Sequence, residues 1–215
     1  MAASRQAYTP SRHVSSMSSL PSLPFSLCVY CGSRAGTDPS HLEAAERLGS
    51  AIGRRGWRLI YGGGRVGLMG AVADAALAAG AAVIGVIPES LMRLEVGHRG
   101  LTELLVVRTM HERKQAMAER ADAFVALPGG IGTFEELFEV WTWRHLGYHA
   151  QPIGLLDVKG YYEPLMAFLD RTVAEGFVNE AQMSMVTRDE DIEALLDRMR
   201  AAAQANQRSA DLDRI

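Results

Sequence analysis

The sequence predicts an α/β protein, a three-layer sandwich in which helices cover both faces of a central parallel sheet. Three observations carry that expectation. Strand-like and helix-like segments alternate along the chain. The strand-like segments are continuous apolar runs instead of in-and-out alternations, as expected of strands buried on both faces. The chain has 215 residues, 48% of them hydrophobic, enough for one ordinary domain with a sizeable core.

The elements follow in order. Phe25 to Tyr30 is an apolar run that breaks at Gly32-Ser33, a first strand and its turn. From Asp38 to Arg55, Leu42, Ala45, Leu48 and Ile52 recur at helical spacing, and Gly56 suits a C-cap. Trp57 to Tyr61 is a second strand, closed by Gly62-Gly63-Gly64, and Leu68 to Ala79 is a helix of small residues ending at Gly80. Ala82 to Ile87 is a third strand stopped by Pro88; Leu104 to Val107 is a fourth, and Met110 to Ala121 a helix. Ala123 to Leu127 is a fifth strand ending at Pro128, with a helix from Thr133 to Leu146. Ile153 to Leu156 is a sixth strand, followed by helices over Tyr161 to Glu175 and Ile192 to Ala203. This is a Rossmann-like order, and residues 25–203 read as one domain.

Residues 1–24 are rich in Ser and Pro, carry Arg5 and Arg12, and precede the first acid, Asp38. That composition has a trace of an organellar transit peptide; a disordered extension is the preferred reading, with Met17 as an alternative initiator. Residues 204–215 read as a polar tail. Net charge is −3, from 22 basic and 25 acidic residues well mixed along the chain. This offers no footprint for a nucleic-acid polymer or an anionic membrane surface. No apolar stretch reaches the roughly 18 residues needed to span a bilayer. The two cysteines, Cys28 and Cys31, are too few for a disulfide framework and read as plain strand residues. With no secretory signal, a cytoplasmic location is expected. His145 and His149 are four apart but separated by Gly147, and His111 reads as a local hydrogen-bonding residue. Neither a metal nor another cofactor is expected.

In an open parallel sheet, ligands bind outside the carboxyl ends of the strands, and two such ends are loaded with glycine. Gly62, Gly64 and Gly67 fit G-x-G-x-x-G between a strand and a helix, and Glu89 follows at about the distance of a ribose-binding acid. A dinucleotide site is therefore an open alternative. The second turn is Pro128-Gly129-Gly130-Ile131-Gly132-Thr133-Phe134-Glu135-Glu136. Its glycines let backbone N–H groups approach an anion, and the helix that follows adds unpaired N–H groups and the positive end of its dipole. No Gly-Lys-Ser/Thr follows, so it is not a Walker A loop. Thr133-x-x-Glu136 also fits a capping box, in which both side chains merely cap the helix. The residues alone leave capping and catalysis equally open.

The sequence resembles the LOG family of cytokinin riboside 5′-monophosphate phosphoribohydrolases, from about Cys28 to about Val186. Pro128-Gly129-Gly130-x-Gly132-Thr133-x-x-Glu136 matches its P-G-G-x-G-T-x-x-E signature. Met110-His111-Glu112-Arg113-Lys114 looks like its M-H-x-R-K segment, and Gly62–Gly70 like its G-G-G-x-x-G-L-M-G. The resemblance implies hydrolysis of the N-glycosidic bond of adenosine 5′-monophosphates, N6-substituted or plain, releasing free base (cytokinin or adenine) and ribose 5-phosphate. It implies Arg113 and Glu136 as catalytic residues. As substrate contacts it implies Glu95, Lys114, Gly129, Gly130, Ile131, Gly132, Thr133, Phe134, Glu135 and Thr142. Gly63, Gly64 and Met69 are further candidates for phosphate or ribose contacts. It also implies a homodimer, with Trp141 or Trp143 near the interface.

Such a bond breaks through an oxocarbenium-like transition state. Three tasks follow: hold the phosphate, stabilise a cationic sugar, and position or deprotonate a water. The turn suits the first and a carboxylate the other two. The alternative from another class is a nucleotide-binding or sensing module that uses the same cradle without turnover. Members of this family also carry the label lysine decarboxylase, which would require a lysine for a pyridoxal phosphate Schiff base. Only Lys114 lies near a motif, and that reading carries little weight.

Overall fold

The computed structural model describes residues 23–92 and 97–212. Residues 1–22, most of the expected N-terminal extension, and Glu95 lie outside the described residues. Seven strands form one parallel sheet: β1 (Ser26–Tyr30), β2 (Arg58–Tyr61), β3 (Ala82–Pro88), β4 (Glu103–Val107), β5 (Ala123–Ala126), β6 (Ile153–Leu156) and β7 (Val186–Asp189). Their spatial order is β4-β3-β2-β1-β5-β6-β7. The chain builds outward from β1 in one direction and then, through β5, in the other. The point where the order reverses is the gap between β1 and β5, where open α/β sheets place their ligands.

Among the described residues, eight α-helices surround the sheet: α1 (Pro39–Arg54), α2 (Gly67–Ala78), α3 (Glu89–Met92), α4 (Met110–Ala118), α5 (Ile131–His145), α6 (Glu163–Ala174), α7 (Glu180–Met183) and α8 (Ile192–Leu212). Side chains alternate across each strand, so β1 feeds two cores. Leu27 and Val29 join Leu48 and Ile52 of α1, Val72 of α2 and Leu195 of α8 on one face. Cys28 and Tyr30 join Met117 of α4, Leu137 and Val140 of α5 and Tyr162 on the other. This is the expected three-layer sandwich.

Several elements differ from the sequence reading. The helix expected from Thr133 begins two residues earlier, at Ile131, with Gly130 as N-cap and no side-chain cap. Thr133 is therefore inside the first turn, and the capping box does not form. β7 carries a single apolar residue in Val-Thr-Arg-Asp and lies half-buried beside β6 alone, so it has no apolar run. α3 and α7 are four residues each, too short to show a period. α8 continues past Ala203 to Leu212, since residues 204–212 hold neither Gly nor Pro to stop a helix. Trp141 is buried within its own protomer, its indole N–H donating to Gln182 O at 2.9 Å. Trp143, two residues on, is half-buried.

Candidate active site

The turn after β5 is held from behind, one carbonyl at a time. The Tyr162 hydroxyl donates to Leu127 O at 2.6 Å, Gly32 N–H to Pro128 O at 3.2 Å, and the Tyr161 hydroxyl to Gly129 O at 2.5 Å. Gly130 O accepts the first N–H of α5, from Phe134 at 3.1 Å. The N–H groups of Ile131, Gly132 and Thr133 precede that bond and have no acceptor inside the helix. No acidic side chain occupies the first turn of α5. The result is a positively polarised cradle. A Cβ at Gly129 would collide with the Thr133 side chain, so the turn can close this tightly only on glycine.

Beneath the cradle stand Arg113, from α4, and Glu136, from the second turn of α5. Both are buried. The Arg113 guanidinium donates from Nε to Val86 O at 3.2 Å and from Nη2 to Gly62 O at 3.4 Å. A Cβ at Gly62 would run into that Nη2. The glycine run after β2 thus makes room for the arginine of a different motif. Nη2 lies 3.7 Å from Glu136 Oε1, close enough for charge attraction without a tight bond. Burial pushes the Glu136 carboxyl from an ordinary 4.5 up to about 7; Arg113 opposes the shift and Glu135 adds to it. A carboxyl poised there can take or give a proton near neutral pH.

These residues open on a cleft of about 590 Å³ at the carboxyl ends of β1 and β5. One wall is the cradle. The opposite wall is the loop after β1, from Gly32 to Thr37, with His41 of α1. Leu68, Met69 and Met110 add apolar surface, and Tyr161 stands beside Gly129. Burial raises the pKa of the Cys31 thiol, which also borders the cleft.

A family model described as a possible lysine decarboxylase matches residues 69–199. A cytokinin riboside 5′-monophosphate phosphoribohydrolase of Rhodococcoides fascians is 50% identical over 179 residues, which is 83% of this chain and 90% of that protein. A LOG-named enzyme of Arabidopsis thaliana with the same activity in its name is 43% identical over 184 residues, 86% of each chain. The chain belongs to the LOG family. A molybdenum cofactor binding protein of Rippkaea orientalis shares this LOG-family chain's fold with a TM-score of 0.64 at 21% identity, over 83% of this chain and 96% of that one.

The lysine decarboxylase description does not fit the residues of this LOG-family member. Its two lysines are Lys114 and Lys159. Burial disfavours the Lys114 ammonium, but Glu135 at 2.5 Å and Glu139 at 2.8 Å outweigh it and hold the pKa above its ordinary value. Lys159 is exposed and paired with Asp38 at 2.9 Å. Neither is a free amine in the cleft, so no Schiff-base chemistry is assigned here.

Of the expected site residues, Arg113, Glu136, Gly129, Gly130, Ile131, Gly132, Thr133, Glu135 and Met69 all border the cleft. Lys114 is set behind Glu135 and acts on it. Phe134 turns inward, its ring edge-on to Tyr162 at 6.4 Å. Gly63 and Gly64 are buried behind the cleft, Gly63 O accepting from His98 N–H at 3.2 Å. Thr142 is exposed, farther along α5, and does not border the cleft. Sequence reasoning passed over the wall after β1 and over Tyr161. The signal for the first was the Gly32-Ser33 break directly after a buried strand; the second had none without the sheet order.

Proposed function

We propose that this protein hydrolyses the N-glycosidic bond of N6-substituted adenosine 5′-monophosphates, releasing free cytokinin base and ribose 5-phosphate. The observation that carries the reading is the buried Arg113–Glu136 pair beneath a row of unpaired helix N–H groups. The 5′-phosphate accepts from the N–H groups of Gly130 to Thr133. Arg113, its fork fixed by two carbonyls, binds ribose or phosphate oxygens. Glu136 in its ionised form faces the cationic sugar of the transition state and takes the proton of the attacking water, the kind of assistance that gives about 10²–10⁴-fold. The apolar side chains of Leu68, Met69, Met110 and Ile131 suit an isoprenoid N6 substituent. Buried reduced thiols at Cys28 and Cys31 suit the cytoplasm. A homodimer is part of the proposal.

The test is a product assay with purified protein on AMP, prenylated AMP, GMP and CMP. Free base should appear from the adenine nucleotides, fastest from the prenylated one. Tight nucleotide binding with no release of base from any of them makes the protein a binding or sensing module instead.

A further inference from the structure

We propose that Tyr161 is a positioning residue for the phosphate cradle, acting through the Gly129–Gly130 peptide; the inference rests on the functional reading above. A trans peptide is planar, so its C=O and the following N–H point to opposite sides, and no cis peptide occurs among the described residues. Whatever holds Gly129 O therefore also aims the N–H of Gly130. The group that holds it is the Tyr161 hydroxyl, at 2.5 Å. The neighbouring carbonyls are held by less labile means: Pro128 O by a backbone N–H, Leu127 O by a buried tyrosine, Gly130 O by the helix itself.

Gly129 O is the exception. Its peptide joins two glycines, the pair with the least resistance to rotation. It borders the cleft, and a carbonyl turned toward the cleft would place a negative dipole against the anion. The Tyr161 ring is fixed for this work from three directions. It meets His41 edge-on at 5.6 Å and Tyr162 at 5.2 Å. It also follows a tight turn in which Lys159 takes a left-handed φ of 53° and bonds Asp38, the N-cap of α1. The turn after β6 is thereby tied to the turn after β5 through the Tyr161 hydroxyl, and to the start of α1 through the Tyr161 ring and Lys159.

The experiment is Tyr161→Phe, which keeps the ring and both aromatic contacts. Ribose 5-phosphate and adenine are titrated calorimetrically into wild type and variant, and AMP kinetics are run on both. Loss of one hydrogen bond predicts about tenfold weaker ribose 5-phosphate binding and a KM for AMP raised about tenfold. Adenine affinity should be unchanged, and kcat should hold within about threefold, as for lost uniform binding. Unchanged ribose 5-phosphate binding in the variant overturns the inference while leaving the activity standing. Equal weakening of adenine and ribose 5-phosphate overturns it too, because that marks a general structural loss. If wild type binds ribose 5-phosphate in a Tyr161-dependent way but releases no base from AMP, the functional reading fails and the inference holds. If wild type binds no ribose 5-phosphate, both fall.

Discussion

Glu136 sits where its two protonation states have opposite consequences for folding and for chemistry. Its folded pKa of about 7 exceeds the ordinary 4.5, so between those values the folded chain holds a proton that the unfolded chain releases. Its contribution to stability is greatest below pH 4.5 and declines as pH rises toward 7, by about 3 kcal/mol for a shift of this size. The chemistry requires the ionised form, so kcat/KM should climb through the same range and level off above about pH 7. Glu136→Gln separates the two. Turnover of AMP should fall about 10²–10⁴-fold. The variant should gain melting temperature relative to wild type on going from pH 5 to pH 8, because it has no charge to bury. A melting difference identical at both pH values, or a flat pH–rate profile for wild type, removes Glu136 from the role given to it. This residue was legible only through its motif: spacing alone could not choose between Glu135 and Glu136. The two differ in their partners: Glu135 joins Glu139 in holding Lys114, while Glu136 turns inward to Arg113.

At the scale of the element, the start of α5 decides what the turn is for. The sequence allowed a capping box, and the box fails because the helix starts at Ile131, leaving Gly130 with no side chain to donate or accept. What remains is a set of N–H groups with no internal partner, and the glycines around them are not equivalent. Gly129→Ala forces a methyl against the buried Thr133 side chain, so it should lower the melting temperature and abolish AMP cleavage together. Gly132→Ala meets open space on a helical residue and should raise stability by up to about 1 kcal/mol. The cradle reading also demands that AMP be preferred over adenosine. Two charge-assisted hydrogen bonds to phosphate are worth about two to four powers of ten in kcat/KM. Equal cleavage of adenosine and AMP, or a Gly129→Ala protein as stable and active as wild type, would leave the turn as a simple strand-to-helix connection. The elements missed in the sequence share a cause. α3, α7 and β7 are short, half-buried or exposed, and held by neighbours instead of by their own apolar pattern.

At the scale of the whole molecule, alternation of buried strands and helices foretold the sandwich, but strand order is a long-range property that no local pattern encodes. That order explains why the two glycine turns have different duties. The turn after β5 lies at the reversal point and forms the cradle; the turn after β2 lies one strand away and instead seats Arg113. It likewise explains why the loop after β1 belongs to the site. The same view of the surface bears on assembly. Ile131 is 83% exposed, Met110 41% and Phe138 37%, three large apolar side chains on α4 and α5. Phe138 stacks on Trp141 with ring planes 5° apart, so the patch is backed by a rigid aromatic pair. Ile131 and Met110 also border the cleft, which means that a second copy covering this face would narrow the cleft and shed water from it. We expect light scattering to give twice the 23.4 kDa chain mass at micromolar concentration. Phe138→Glu, which touches no residue of the Arg113–Glu136 pair directly, should yield a folded monomer with a raised KM for prenylated AMP. A wild-type protein that is monomeric and fully active at that concentration, or a Phe138→Glu dimer of undiminished affinity, would show that the α4–α5 face plays no part in assembly.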